Sequence, residues 1–161
     1  MLILCGYSGS GKSTLARGYA ENEGYQVADT DTLLEEKFGQ RVRDLHLAWG
    51  EARFREEEGG ILLSLPATIQ VLATGGGILC REENGILLQE RGTLVHVQVA
   101  PEILWERLYQ RALHPAFVQA GYEAFQAHYM ERTALYERWC TFCFKGGAFE
   151  FKGGGDGPPV K

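Results

Sequence analysis

The segment Gly6-Tyr7-Ser8-Gly9-Ser10-Gly11-Lys12-Ser13-Thr14 carries residue types that can bind a nucleotide phosphate. It satisfies the pattern GxxxxGKS/T, and it follows a short apolar run and precedes a stretch with helical spacing, which is the context that the pattern needs. The glycines let main-chain N–H groups turn towards a β-phosphate, and the helix N-terminus adds its dipole. Lys12 can reach the β- and γ-phosphates, while the Ser13 hydroxyl can bind Mg²⁺. The segment predicts a nucleoside triphosphate site, and the alternative is an accidental glycine-rich turn.

Two carboxylates follow the next apolar segment, in Asp29-Thr30-Asp31. In an extended strand end, residues i and i+2 project to the same side, here towards the phosphate-binding segment. We assign Asp29 to the shell of Mg²⁺, and Asp31 to orienting an acceptor hydroxyl or accepting its proton during in-line phosphoryl transfer. The alternative is that Asp31 or Thr32 merely caps a helix, because Thr32 with Glu35 has the pattern of a capping box.

Arg55 and Arg132 could together grip an anionic group of the acceptor. Glu58, three residues after Arg55, can hold its guanidinium in place, and a fixed guanidinium binds a carboxylate in bidentate fashion. Taken singly, each arginine could equally be a surface residue. Gly75-Gly76-Gly77 follows a β-branched apolar run and would let backbone amides approach a ligand, although three glycines could also form a plain tight turn.

Strand and helix patterns alternate along the chain and place these residues after strands. The strand candidates are 2–5, 27–28, 68–74, 93–99, 141–144 and 148–151. The helix candidates are 13–22, a helix opened by Thr32 and closed by Gly39, 42–49, 51–65, 82–90, a helix beginning at Pro101, and 121–139. The alternation predicts right-handed βαβ units and a parallel sheet covered by helices on both faces, with ligands at the carboxyl ends of the strands.

The length of 161 residues suits one compact domain. A formal net charge of −5 and a pI near 5.4 argue against a protein that holds nucleic acid or an acidic membrane by bulk electrostatics. No signal peptide is recognisable and no apolar run approaches the ~20 residues that span a bilayer, so we expect a cytoplasmic protein.

The cysteines and histidines give no sign of a metal site. Cys140 and Cys143 form a CxxC pair without a second pair, and their aromatic neighbours favour small core fillers with reduced thiols over redox chemistry. His46, His96 and His128 have neither nucleophile nor metal-ligand spacing, so we expect core or surface roles for them.

Arg107 and Arg111 lie about one helical turn apart before His114-Pro115. A mobile arginine that closes over the phosphates could neutralise charge in the transition state and exclude water, and Arg111 is our candidate. The alternative is that both arginines simply solvate a helix. The glycine- and proline-rich tail 153–161 has little apolar surface and predicts a flexible segment.

Residues 1 to 140 resemble the shikimate kinase family, because five motifs occur in the order seen there. They are the phosphate-binding segment, Asp29-Thr30-Asp31, the run 50–58 with its pattern Gly-Glu-x-x-Phe-Arg-x-x-Glu, the triple glycine and Arg132-Thr133-Ala134-Leu135-Tyr136. The resemblance implies an α/β fold, namely a three-layer P-loop NTPase-type domain similar to nucleoside-monophosphate kinases, with a parallel sheet flanked by helices. This single domain would span 1–152, with a lid at about 107–121.

The resemblance also implies an ATP-dependent small-molecule kinase. With Mg²⁺, such an enzyme transfers the γ-phosphoryl group of ATP to the 3-hydroxyl of shikimate and gives shikimate 3-phosphate and ADP, in chorismate and aromatic amino-acid synthesis. The implied ATP-binding residues are Gly9, Ser10, Gly11, Lys12, Ser13, Thr14 and Arg111. The implied catalytic residues are Lys12, Asp31 and Arg111, and the implied Mg²⁺ ligands are Ser13 and Asp29. The residues implied to bind shikimate are Asp31, Arg55, Gly76, Gly77 and Arg132. We expect a monomer whose partners are shikimate and ATP, without nucleic acid or membrane.

The chain departs from the family pattern in two places. Arg111-Ala112-Leu113 stands where the family usually has Arg-Pro-Leu, and glycine and proline replace the terminal helix that normally follows an adenine-facing loop. Two alternatives therefore stay open. One is a kinase of another small polyol acid such as gluconate, and the other is a nucleotide-binding module without catalytic activity.

Overall fold

The structure, a computed structural model, describes residues 1–110 and 120–151. Its strands are β1 (Leu2–Cys5), β2 (Val27–Asp29), β3 (Val71–Ala73), β4 (Thr93–Val97), β5 (Phe142–Lys145) and β6 (Ala148–Phe151). Its helices are α1 (Lys12–Glu23), α2 (Thr30–Phe38), α3 (Val42–Ser64), α4 (Glu82–Arg91), α5 (Pro101–Tyr109) and α6 (Tyr122–Trp139), with a 3-10 turn at Ile78–Cys80. The central part of the expected lid, including Arg111, and the tail from residue 152 lie outside the described residues.

The strands form one sheet in the order β2-β3-β1-β4-β5-β6. The first five strands are parallel, and β6 pairs with β5 in antiparallel orientation. The predicted α/β fold with a parallel sheet is confirmed. Because β2, β3 and β1 are neighbouring parallel strands, the loops that follow them meet at the carboxyl end of the sheet. Thr74 N donates to Leu4 O at 3.1 Å and Gly75 N donates to Thr30 Oγ1 at 2.8 Å, which ties these three loops together.

The apolar side chains of the strands alternate between two faces, and helices cover both. Ile3 and Leu72 pack in one buried cluster with Leu88 of α4. Leu4 packs in the opposite cluster with Ala16 of α1. The helices are therefore held to the sheet by burial of their apolar faces, as the three-layer prediction requires. None of the helices in the described part of the chain is long and apolar enough to cross a membrane.

Helix α3 contains a break that the sequence predicted between two helices. Gly50 has φ 76° and ψ 169°, a backbone conformation open to glycine and strained for residues with a Cβ. The break changes the direction of the chain just before Glu51. Arg55 and Glu58 consequently lie on the second, straight half of α3, where they share one helical face.

The start of α2 differs from the expectation. The predicted capping box of Thr32 and Glu35 is wrong, because β2 runs directly into the helix and Asp29 is the N-cap. The Asp29 carboxylate accepts a hydrogen bond from Asp31 N at 3.0 Å, while Glu35 Oε1 accepts one from Val42 N at 3.0 Å. Asp31 therefore belongs to the first helical turn, so the expectation that Asp29 and Asp31 project to one side of a single extended strand end is also wrong.

The cysteine pair fills the core, as the sequence suggested. Cys140 and Cys143 are buried with free thiols, and the Cys143 thiol donates to Gln98 Oε1 at 3.2 Å. Cys140 ends α6 and packs with the cluster that contains Ile3. Neither position suggests redox chemistry.

Candidate active site

The loop between β1 and α1 is folded around the ammonium group of Lys12. Lys12 is buried, and its Nζ donates to Gly6 O at 2.7 Å and to Tyr7 O at 2.9 Å. Gly11 is the N-cap of α1 with φ 94°, so the first turn of the helix points its free N–H groups into the loop. The loop therefore presents main-chain donors and one cation in a small space, which suits a phosphate group.

Two cavities adjoin this loop. The smaller, of about 340 Å³, is lined by Ser8, Gly9, Gly11, Lys12, Ser13, Thr14, Asp31, Thr74 and Gly76. The larger, of about 720 Å³, is lined by Gly9, Ser10, Gly11, Thr14, Leu15, Gly18, Tyr19, Asn22, Glu23 and Arg107. The smaller cavity brings the phosphate loop to the acceptor candidates Asp31 and Gly76. In the larger cavity, Arg107 Nη1 donates to Gly9 O at 2.9 Å, so α5 reaches over the loop.

Ser13 and Asp29 form the pair of oxygen ligands expected for Mg²⁺. Ser13 Oγ donates to Asp29 Oδ2 at 2.5 Å, although the two residues lie on α1 and at the end of β2. Hard oxygen ligands fit Mg²⁺, which keeps several waters or phosphate oxygens in its shell. In the described ranges no group of three or more His, Cys, Asp or Glu could hold a metal by itself. The pair therefore fits an ion that phosphates help to bind.

Asp31 lies between the phosphate loop and the triple glycine. Burial and the neighbouring Asp29 charge raise the pKa of Asp31 to about 6, against the lowering effect of Lys12 and Arg55. A Cβ atom at Gly75 would lie 2.7 Å from Asp31 Oδ1 and 2.7 Å from Glu58 Oε1. Only glycine leaves room for these two carboxyl groups to face each other across the loop after β3.

Arg55 is fixed by acidic partners on its own helix. Its Nη1 donates to Glu58 Oε2 at 2.6 Å and its Nε donates to Glu51 Oε1 at 2.8 Å. Burial raises the pKa of Glu58 to about 7, although Arg55 acts to lower it. On the remaining side the guanidinium lies against Gly77, where any Cβ would collide with it. The Arg55 side chain is therefore held in one orientation. The sequence predicted that Glu58 holds it, but not that Glu51 does.

Arg132 on α6 contacts the Glu51 carboxylate as well. Its Nη2 lies 3.6 Å from Glu51 Oε1, the oxygen that accepts from Arg55. Arg132 Nη1 is buried and has no hydrogen-bond partner among residues 1–110 and 120–151. The two guanidinium groups thus converge, and we call Arg55 and Arg132 the anion clamp. The N–H groups on Arg132 Nη1 are therefore left for an incoming anion.

The sequence did not indicate two residues that contact the clamp. Glu51 bridges both arginines, and His128 accepts a hydrogen bond at Nε2 from Arg132 Nε at 3.4 Å. His128 therefore belongs to the site rather than only to the core or the surface. The available signal was helical spacing, because Glu51 lies four residues before Arg55 and His128 lies four residues before Arg132.

The described site residues fall into two adjoining groups. Lys12, Ser13, Asp29 and Asp31 surround the smaller cavity or its edge, with Gly76 on the other side. Arg55 lies close to Asp31 and against Gly77, and Arg132 shares its contact with Glu51. Tyr136 OH donates to Gly76 O at 2.5 Å, which fixes the glycine loop against α6. Arg111, predicted to close over the phosphates, is outside the described residues, so its role stays a prediction.

Comparison with families and curated proteins gives a single answer. A family model described as "Shikimate kinase" matches residues 8–149. The shikimate kinase of Bacillus cytotoxicus is 38% identical over 136 residues, which cover 84% of this chain and 82% of that protein. The shikimate kinase of Thermodesulfovibrio yellowstonii is 32% identical over 144 residues, covering 88% of this chain and 83% of that protein.

Solved structures agree with this result. The shikimate kinase of Acinetobacter baumannii in complex with shikimate has a TM-score of 0.80 at 28% identity, covering 89% of this chain and 82% of that one. The shikimate kinase of Bacteroides thetaiotaomicron has a TM-score of 0.78 at 28% identity, covering 95% and 90%. A gluconokinase of Sinorhizobium meliloti, with a TM-score of 0.54 at 19% identity and coverage of 81% and 73%, shares the fold alone.

Proposed function

The chain belongs to the shikimate kinase family, and from this premise we propose that it transfers the γ-phosphoryl group of ATP to the 3-hydroxyl of shikimate. The products are shikimate 3-phosphate and ADP, and the reaction belongs to chorismate and aromatic amino-acid synthesis. The observation that carries the proposal is the convergence of Arg55 Nε and Arg132 Nη2 on one carboxylate oxygen, at 2.8 Å and 3.6 Å. A small acid with a reacting hydroxyl matches a site that combines this clamp with Asp31 and a phosphate loop.

The acceptor is bound through its carboxylate. Arg55 and Arg132 hold that group, and Arg132 Nη1 supplies a donor that has no partner among the described residues. Gly76 and Gly77 let the backbone approach the ring closely, since side chains there would meet Ser8 N or the Arg55 guanidinium. The ring is thereby oriented with its 3-hydroxyl towards Asp31 and the smaller cavity.

The nucleotide lies along the phosphate loop. Residues Gly9 to Thr14 bind its phosphates, and Arg107 contacts the loop from α5 through Gly9 O. We expect Arg111 to neutralise charge on the phosphates in the transition state. Lys12 Nζ leaves the carbonyls of Gly6 and Tyr7, to which it now donates, and binds the β- and γ-phosphates. Ser13 and Asp29 hold Mg²⁺, which neutralises phosphate charge when it is bound.

Asp31 handles the proton of the reacting hydroxyl. As the 3-oxygen forms its bond to the γ-phosphorus and the bond to the β,γ-bridging oxygen breaks, the Asp31 carboxylate accepts the hydroxyl proton. A pKa of about 6 leaves the carboxylate ionised at neutral pH and more basic than an exposed aspartate. Lys12 stabilises the charge that develops on the transferred group and on ADP.

We further propose that the protein acts as a monomer in the cytoplasm. Both cavities are lined by residues of one chain, so a second subunit is not needed to complete them. The four cysteines form no disulfide with one another, which is compatible with a reducing compartment. Gel filtration with light scattering tests the first statement, and fractionation of the native organism tests the second.

A coupled assay of ADP release tests the activity. The purified protein with Mg-ATP is given shikimate, quinate and gluconate in separate reactions at equal concentration. We expect turnover with shikimate, because its carboxylate and 3-hydroxyl fit the clamp and Asp31 together. Turnover with gluconate and none with shikimate would show that gluconate, rather than shikimate, is the substrate. ATP binding without transfer to any acceptor would instead identify a nucleotide-binding module without catalytic activity.

A further inference from the structure

A chain of polar contacts links the phosphate loop to the anion clamp. Tyr7, the second residue of that loop, is buried, and its hydroxyl lies 2.6 Å from His128 Nδ1. On the other side of the ring, Arg132 Nε donates to His128 Nε2 at 3.4 Å. The imidazole is packed edge-on against the Tyr7 ring, with centroids 5.5 Å apart. His128 therefore has defined partners at both nitrogens.

These contacts fix one tautomer of a neutral imidazole. A guanidinium can only donate, so Nε2 must accept from Arg132 and cannot carry a proton. The proton then lies on Nδ1, which donates to the Tyr7 oxygen. A second proton, on Nε2, would replace the accepted hydrogen bond with two opposing N–H groups and would place two positive charges next to each other.

We propose that His128 is a positioning residue of the acceptor site, which holds Arg132 in the clamp by accepting from its Nε and is itself oriented by Tyr7. The inference deepens the proposed function and rests on it. Arg132 enters from α6, where its ion pair with Glu51 is long at 3.6 Å. Its hydrogen bond to His128, at 3.4 Å, is the one that directs the guanidinium. Without it, Nη1 and Nη2 would not be held towards the acceptor.

The surroundings determine how protonation affects this contact. Tyr7 faces the ring from the phosphate loop, Glu131 and Arg132 from α6, and Glu51 and Arg55 from α3. Burial lowers the pKa of His128 below its usual value near 6.5, with Arg55 adding to the effect and Glu131 and Glu51 opposing it. Neutral His128 therefore persists through neutral pH, and the contact is lost only in acid.

Two amide variants separate positioning from a merely structural role. In His128→Gln the amide can place an oxygen near the position of Nε2 and keep accepting from Arg132. In His128→Asn the shorter amide reaches only the position of Nδ1, so Tyr7 keeps a partner and Arg132 loses one. Neither side chain titrates. The two variants thus have similar polarity and differ in whether the amide can form a hydrogen bond with Arg132 or with Tyr7.

The experiment measures KM for shikimate, KM for ATP and kcat in the wild type and both variants. We expect His128→Asn to raise KM for shikimate about tenfold, the loss corresponding to one hydrogen bond to a charged group, with smaller changes in kcat and in KM for ATP. His128→Gln should stay within about twofold of the wild type. An equal rise in both variants, or no rise in either, would overturn the proposal.

The pH profile gives an independent readout. As pH falls, KM for shikimate should rise more steeply in the wild type than in His128→Gln, while titration of Asp31 affects both proteins alike. A constant ratio across the range would contradict the proposal.

Nitrogen-15 NMR of the imidazole should find the proton on Nδ1 at neutral pH, and a proton on Nε2 would also overturn it. If the wild type does not phosphorylate shikimate at all, the proposed function fails, and the NMR measurement still decides whether the contact exists.

Discussion

Asp31 is subject to two opposing electrostatic effects, one that favours its protonated form and one that favours its ionised form. Burial, and after it the charge of the neighbouring Asp29, raises the pKa of Asp31 to about 6, while Lys12 and Arg55 act to keep the carboxylate ionised. A carboxylate with this balance can accept a proton in the transition state and release it afterwards at neutral pH. The position of Asp31 in the first turn of α2 holds it at the mouth of the smaller cavity.

Asp31→Asn should remove most turnover and leave ATP affinity nearly intact. The amide keeps the shape of the side chain but cannot accept the proton, so we expect kcat to fall by about 100-fold or more. Steady-state kinetics with shikimate and a binding titration with ATP measure the two effects. Glu36→Gln, an exposed change on the same helix, serves as the control and should leave both values unchanged. A comparable loss of ATP affinity would count against the role of Asp31 at the acceptor.

Arg55→Lys should weaken shikimate binding sharply. Arg55 uses Nε and Nη1 for Glu51 and Glu58 at once, and a single ammonium cannot reproduce that planar fork. We expect KM for shikimate to rise by about tenfold or more, with a smaller effect on KM for ATP. Arg53→Lys, an exposed arginine on the same helix, is the matched control. If the two variants bind shikimate equally well, Arg55 does not belong to the acceptor site.

At the scale of elements, the second half of α3 lies against the glycine loop that follows β3. Gly75 and Gly77 are the positions of closest approach, because Asp31, Glu58 and the Arg55 guanidinium occupy the space that a Cβ would need. Tyr136 of α6 holds the carbonyl of Gly76 between them. The loop therefore depends on two glycines for close packing rather than for a left-handed backbone, since neither has a positive φ.

Gly77→Ala tests this packing. The added methyl group would displace the Arg55 guanidinium, so we expect a loss of shikimate affinity of about tenfold or more while ATP still binds. Gly60→Ala on α3 is the control, since the nearest atom to its Cβ is the end of the flexible Lys37 side chain at 3.9 Å. That change should raise the free energy of unfolding by about 0.5–1 kcal/mol. Calorimetric titration measures the affinity for shikimate, and chemical denaturation measures the free energy of unfolding. Unchanged shikimate affinity in Gly77→Ala would contradict the packing argument.

At the scale of the whole molecule, the site contains an acid that folding has removed from water. Glu58 is fully buried, and Glu58 Oε1 has no hydrogen-bond partner within the described part of the chain. Burial raises the pKa of Glu58 from 4.5 to about 7 despite its ion pair with Arg55. The folded protein thus retains a proton that the unfolded chain releases at lower pH.

The free energy of unfolding should therefore depend on pH through Glu58. A raised pKa in the folded state gives a stabilising contribution that is complete below pH 4.5 and is lost as pH rises through about 7. Glu58→Gln cannot titrate at this position, so its free energy of unfolding does not fall in this way. Relative to the wild type, the free energy of unfolding of Glu58→Gln should therefore increase by about 1–3 kcal/mol as pH rises across this window. Urea denaturation of both proteins between pH 4.5 and 8 measures that difference. A difference that does not vary with pH would contradict the buried, protonated state.

The site could be predicted from the sequence wherever local geometry determines a contact. The phosphate loop depends on glycines and a helix start that are adjacent in the chain, and the pair Arg55 and Glu58 depends on helical spacing alone. The alternation of strands and helices likewise predicted the parallel sheet, because hydrophobic periodicity is a local property. The helix start at Asp29 was missed because several residues from Asp29 to Thr32 can cap a helix, and in the structure the Asp29 carboxylate accepts from Asp31 N.

The sequence by itself determined which residues can bind phosphate and that the chain builds a parallel α/β sheet, since both follow from neighbours a few residues apart. Only the tertiary structure decided that Glu51 bridges Arg55 to Arg132 and that Tyr7 meets His128, 121 residues away in the chain. The physical reason is that these contacts depend on how α6 packs across the loops after β1 and β3. Packing of that kind is a sum over many distant apolar contacts, which no local pattern records.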